Sequence, residues 1–191
     1  VREKGGKKMA EDSNVHAKVA MADVAGLLTI GFFVFLVGCF GLEIMNTLDV
    51  VVAIAIPCGV VSLLVAFMMY LNENVLGTGI FAPLAIFFLA VGVVPTTISG
   101  AMFMVVIGII ILVDGIVALN QPVKLLPVHL LLAAVAFFVT AAFYNDPTLD
   151  VARTAFGVLW MILALLSFYM AAAIMMLVLK GKQVLPLLIK A

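Results

Sequence analysis

The chain has 191 residues, zero formal net charge, 66% hydrophobic and only 10% charged residues, and a mean hydropathy of +1.37. A soluble domain of this size has too much surface per volume to hide that apolar content, disorder needs the opposite composition, and a neutral chain leaves no electrostatic footprint for nucleic acid. What remains is an all-α polytopic membrane protein embedded in a lipid bilayer.

In chain order, the first segment is a basic tail. Val1 to Lys8 reads VREKGGKK, and Met9 follows. Lys4 to Met9 can be encoded AAA GGA GGT AAA AAA ATG, a ribosome-binding sequence ahead of a start codon, and Val1 itself fits a GTG start. The expectation is a bacterial or archaeal chain that begins at Met9; the alternative is an ordinary basic tail. No small-residue cleavage site follows a short apolar core, so this stretch does not read as a signal peptide.

Six spans follow, each near the 20 apolar residues that cross a bilayer. The first runs from about Val24 to Leu42 and is closed by Glu43, Asn46 and Asp49. The second runs from about Val50 to Leu71 and ends at Asn72-Glu73-Asn74. No charge then appears until Asp114. As one helix, Asn74 to Val113 would be roughly 60 Å long, twice the hydrocarbon thickness. It therefore divides, and Pro95-Thr96-Thr97 is the natural break, because proline lacks a donor and disfavours helix just before it. This places the third span at about Thr78 to Val94 and the fourth at about Ile98 to Leu119. Asn120-Gln121-Pro122 and Asn145-Asp146-Pro147 bound the fifth, Leu126 to Phe143, and the sixth runs from Ala152 to Leu179. The organisation is a tail over 1–20, a transmembrane domain over 21–180 and a tail over 181–191.

An even number of spans puts both termini on one side. Of the ten basic residues, all but Arg153 then share that side with the termini, and without Val1 to Lys8 the division is still five to one. Positive charge is retained in the cytoplasm, so both termini are expected there. Glu43, Asp49, Asp146 and Asp150 mark the opposite side.

Few side chains inside the spans carry chemistry. Cys39 and Cys58 read as small packing residues, and His16 and His129 have no ligand-spaced neighbours that would make a metal site. No nucleotide, zinc-protease or nucleophile-elbow motif is present, so no catalytic residue and no cofactor are expected. Asp114 is the carboxylate set well inside a span; it is either functional or hydrated at the nearby helix end. Pro57 and Pro83 interrupt the second and third spans, as pore-lining or as packing kinks. Gly31, Gly38, Gly41, Gly59, Gly77, Gly79, Gly92, Gly100 and Gly108 fit close helix contacts. Phenylalanines at helical spacing fit a dewetting constriction, and Trp160, Tyr144 and Tyr70 fit interface anchoring, although Trp160 lies deep for that role.

Several segments, in order, resemble the acetate uptake transporter family (the YaaH or succinate–acetate permease type). Asn74-Val-Leu-Gly-Thr-Gly-Ile-Phe81-Ala-Pro-Leu-Ala-Ile-Phe87-Phe88 resembles the family's N-T-F-G-x-T-A-F-x-S-Y-G-x-F-W. The passage from Leu112 to Ala142 is similar to its fourth-to-fifth helix region. Thr154 to Ala173 is similar to its sixth helix, and Val184-Leu-Pro-Leu187 to its terminal LPLG. The match covers about two thirds of the chain. The family's first-helix NPAPLGL is replaced by Met21-Ala-Asp-Val-Ala-Gly-Leu-Leu28, without either proline. The constriction Tyr falls on Leu84, its preceding Ser on Pro83, its Phe near Ile30 or Phe32 and its Leu near Leu131, a more apolar pore than the family's.

The resemblance implies a membrane permease or channel for acetate or a similar small monocarboxylate, with or without a proton, in a ring of six copies in the inner membrane. Its pathway would use Thr29 and Phe32 on the first helix, Asn74 and Thr78 as donors near the cytoplasmic mouth, then Phe81, Leu84 and Leu131, with Asp114 as a proton-linked site. Two other readings stay open: a six-helix urea or short-amide channel, suggested by Gly26-Leu-Leu-Thr-Ile-Gly-Phe-Phe33, and a non-transporting membrane subunit, suggested by how few polar groups line any helix.

Overall fold

A computed structural model describes residues 3–93 and 99–187, with side chains over 22–93 and 100–187. It contains α1 (Glu3–Gly41), α2 (Asp49–Leu71), α3 (Val75–Val93), α4 (Ser99–Ala118), α5 (Leu125–Asn145) and α6 (Asp150–Lys180). Among the described residues, six segments are long and apolar enough to span a membrane: Ala22–Gly41, Asp49–Leu71, Val75–Val93, Gly100–Ala118, Leu125–Asn145 and Asp150–Lys180. They match the six expected spans to within a few residues. The Pro95-Thr96-Thr97 break lies outside the described residues; the helices flanking it end at Val93 and resume at Ser99.

Polar punctuation sets the ends. Asn74 stands just before α3, and its Oδ1 accepts a hydrogen bond from the Gly77 amide at 2.9 Å, a side-chain N-cap. Asp146 orders the α5–α6 turn: its Oδ1 accepts from the Thr148 hydroxyl at 2.6 Å and the Thr148 amide at 3.1 Å, which holds its carboxyl below the usual carboxylate range. Gly181 ends α6 in the left-handed region at φ 62°, where a side chain would be strained. Pro57 and Pro83 lie inside α2 and α3, and both helices run through them.

The helices pack most extensively as the pairs α1·α6, α2·α3 and α4·α5. The first pair is antiparallel. Leu27 clusters with Met170 and Ala171, Gly31 faces Phe168, and Gly41 meets Gly157. There a Cβ on Gly41 would sit 2.5 Å from the Gly157 Cα, so only two glycines permit that crossing. At the same end, Arg153 at the start of α6 pairs with Glu43 after α1 at 2.7 Å and lies over the Phe40 ring. Beyond α6 the chain folds back: the Tyr169 hydroxyl donates to the Pro186 carbonyl at 2.8 Å and Leu187 is buried.

Candidate functional site: two cavities and an aromatic barrier

The bundle encloses a cavity of about 220 Å³ in the half that contains the start of the first span and the end of α6. Four helices supply most of its wall at helical spacing. From α1 come Asp23, Leu27, Ile30 and Val34; from α5 come Leu126, His129, Leu130, Ala133 and Phe137. These are i, i+4, i+7 and i+11 stripes, one face of each helix. The α3 wall runs from Asn74 and Gly77 through Phe81 and Leu84 to Phe87 and Phe88, and α6 adds Trp160, Met170 and Ile174. Gln121, in the α4–α5 loop, and Asn74 lie at the ends of helices, so the cavity reaches that face of the bundle. A volume of this size suits a molecule of a few heavy atoms, below the roughly 300–1,000 Å³ of a drug-sized pocket.

A second cavity, about 230 Å³, occupies the other half and reaches Leu48 and Tyr144 at the opposite helix ends. Val34, Phe87 and Trp160 line both cavities. Around them aromatic rings form a continuous plug. Phe33 and Phe88 centroids are 4.6 Å apart, Phe87 meets Phe137 edge-on at 5.2 Å, and Phe137 meets Trp160 edge-on at 4.9 Å. The plug's polar groups are internally paired: Trp160 Nε1 donates to Thr140 Oγ1 at 2.9 Å, and that hydroxyl donates to the Ala136 carbonyl at 2.7 Å. With no free donor or acceptor to hold water, such a constriction dewets. The arrangement is an hourglass with a dry waist.

The expected pathway residues divide. Asn74, Phe81 and Leu84 are on the wall, and Leu84 is buried in the bundle just short of the waist. Phe81 sits against Gly26 of α1, where a Cβ would overlap its ring. Thr29, Phe32, Thr78, Leu131 and Asp114 are not on it. Phe32 lies two residues past Ile30, about 200° around the helix, and its side chain is 50% exposed on the outer surface. The first helix gives the wall aliphatic residues instead. The Thr29 hydroxyl is used by the Ala25 carbonyl at 2.8 Å. The Thr78 hydroxyl donates to the Asn74 carbonyl at 2.9 Å, and Asn74 Nδ2 directs one of its two N–H groups at the Met69 sulfur at 3.3 Å. Leu131, one residue past Leu130, packs on Gly115 of α4. Asp114 faces α3, where its Oδ1 stands 3.2 Å from the position of a Cβ on Gly79 and its Oδ2 is buried without a hydrogen-bond partner. Neither helix proline lines either cavity.

The polar wall residues that sequence reading did not single out for a pathway are Asp23, Gln121 and His129. His129 is 4% exposed, and its Nε2 lies 2.7 Å from Ser167 Oγ of α6. The histidine was visible in the sequence; its partner, 38 positions on, was not. Trp160 is no interface anchor: it is 5% exposed, and it forms part of the waist.

No family model matches the chain, and no curated protein matches it in sequence. Among solved structures the chain is similar to that of the bacterial acetate channel SatP, with a TM-score of 0.78 and 16% identity over 86% of this chain and 97% of that one. At that identity the likeness is one of fold.

Proposed function

We propose that the protein is a membrane channel or transporter for acetate or a similar small monocarboxylate. The observation that carries this reading is the pair of cavities set end to end along the bundle, sharing Val34, Phe87 and Trp160 at a dry waist, within the fold of an acetate channel. A short-chain acid matches the walls: its tail against leucine, isoleucine and phenylalanine, its head toward the few polar groups. Hydrophobic constrictions gate pores by dewetting, and here the rings around the waist are aromatic. The inner membrane of a bacterium or archaeon and a ring of six copies, both implied by the family resemblance, belong to this proposal.

The test is uptake of labelled acetate into proteoliposomes, with urea as comparator and with and without a pH gradient. The expected result is saturable acetate uptake with no urea uptake. Leu84→Trp, which fills the first cavity below the waist, should bring uptake near background while the protein still folds. Urea uptake without acetate uptake would assign the chain to the short-amide channels, and wild-type acetate flux in Leu84→Trp would remove the cavity from the path.

A further inference from the structure

The environment of His129 fixes its tautomer. Ser167 Oγ lies 2.8 Å from the Leu163 carbonyl, one turn back on α6, and 2.7 Å from His129 Nε2. A hydroxyl has one hydrogen. Directed at the carbonyl, it leaves a lone pair for the ring, and Nε2 must then carry the ring hydrogen. The opposite assignment would face the hydroxyl oxygen and the carbonyl oxygen lone pair to lone pair. No ion pair involves the ring among the described residues, and an unpaired charge in this surrounding is costly, so the imidazole is neutral.

A neutral ring with hydrogen on Nε2 has a bare lone pair on Nδ1. Nδ1 has no hydrogen-bond partner among the described residues. It is not one of the sealed, unpartnered side-chain atoms, which are Ser62 Oγ, Asp114 Oδ2 and Arg153 Nε. The ring is on the wall of the first cavity, so this lone pair is left to the cavity.

We propose that Nδ1 of His129, held by Ser167, is a specificity-determining acceptor for a small molecule with an O–H or N–H donor at its head and a short apolar tail. Under the monocarboxylate reading, on which this rests, the bound species is the undissociated acid, its O–H donating to Nδ1. Short primary amides present the same chemistry. A carboxylate ion is disfavoured at this point. Its oxygens would meet a lone pair, and no lysine or arginine lines the cavity among the described residues. The other titratable wall residue is Asp23 of α1, whose carboxylate also repels an anion; α3 and the α4–α5 loop contribute only neutral Asn74 and Gln121. Leu27, Ile30 and Leu84 receive the tail.

The test uses the full chain with His16→Gln, which leaves a single histidine, labelled with ¹⁵N and read by NMR in lipid. The expected spectrum without ligand has Nε2 protonated and Nδ1 bare. Acetic acid and acetamide, added separately, should each move the Nδ1 resonance as it accepts a bond, and sodium acetate at high pH should not. In proteoliposomes, His129→Phe should lower acetamide and acid uptake by roughly tenfold, the loss of one buried acceptor. His129→Gln should retain most of it, since the amide can donate to Ser167 and offer its oxygen to the cavity. A ring protonated at Nδ1 without ligand overturns the proposal, as does an Nδ1 signal unmoved by both ligands, or equal losses in the Phe and Gln variants. If acetate does not cross the wild-type protein, the monocarboxylate reading fails; an Nδ1 signal that still answers acetamide then upholds the donor-selective site with an amide as its ligand.

Discussion

Trp160 shows how one hydrogen bond serves the dry waist. Its indole N–H is a donor without acceptor capacity, and at 5% exposure it can reach no bulk water. Thr140 resolves this by accepting from Trp160 while donating to its own helix at Ala136. Thr140→Val should leave the indole donor unpaired and cost about 1–3 kcal/mol. Thermal unfolding in detergent reads this directly, with Thr140→Ser close to wild type and the double variant Thr140→Val, Trp160→Phe recovering part of the loss. Asp114 belongs to the same scale. Gly79 makes room for its carboxyl between α3 and α4, off the wall of the first cavity.

At the scale of elements, glycines set how closely the paired helices approach. Gly41 on Gly157 brings the α1 and α6 backbones together, and a Cβ on Gly157 would meet the Gly41 carbonyl carbon at 2.6 Å. In α4·α5, Gly115 accommodates Leu131, and in α2·α3, Gly92 accommodates Ile56. Lipid tails are as apolar as leucine, so association depends on such fit rather than on expelling water. Gly157→Leu has backbone in its way, which cannot rotate aside. It should cost at or above the usual overpacking range of about 1–3 kcal/mol and lower the yield of folded, monodisperse protein. Gly100→Ala is the control: the nearest atom to its Cβ is on Tyr144 at 3.8 Å, an ordinary contact, so stability should hold.

At the scale of the molecule, the antiparallel α1·α6 pair puts the start of the first span and the end of the last at one end of the bundle, while Glu43, Asp146 and Arg153 gather at the other. The distribution of lysine predicts that the first end faces the cytoplasm. Cys39 and Cys58 are buried, so single cysteines introduced at Asp146→Cys and Lys182→Cys report the orientation without interference. In intact cells an impermeant maleimide should label the first and leave the second unlabelled until the membrane is opened. The reverse pattern would invert the protein and exchange the sides of the two cavities.

What the sequence by itself determined is the linear plan: six spans and their ends, read from uninterrupted apolar runs and from the polar turns at Asn72-Glu73-Asn74, Asn120-Gln121 and Asn145-Asp146. Span length is a one-dimensional quantity, fixed by bilayer thickness, so a chain read in order reveals it. The face each span turns inward is not. In a soluble helix, polar residues mark the outer side; here lipid and bundle interior are equally apolar, and residues such as Phe32 and Phe33 look alike although one is exposed and the other buried. Leu84 and Phe81 were placed by motif resemblance, and they line the cavity. Thr29, Phe32 and Leu131 were placed within a residue or two of wall positions, which at 100° per residue is enough to turn a side chain off the wall. The His129–Ser167 pair and the shared waist at Val34, Phe87 and Trp160 join α1, α3, α5 and α6 across long sequence separations, and only packing in three dimensions decides such meetings.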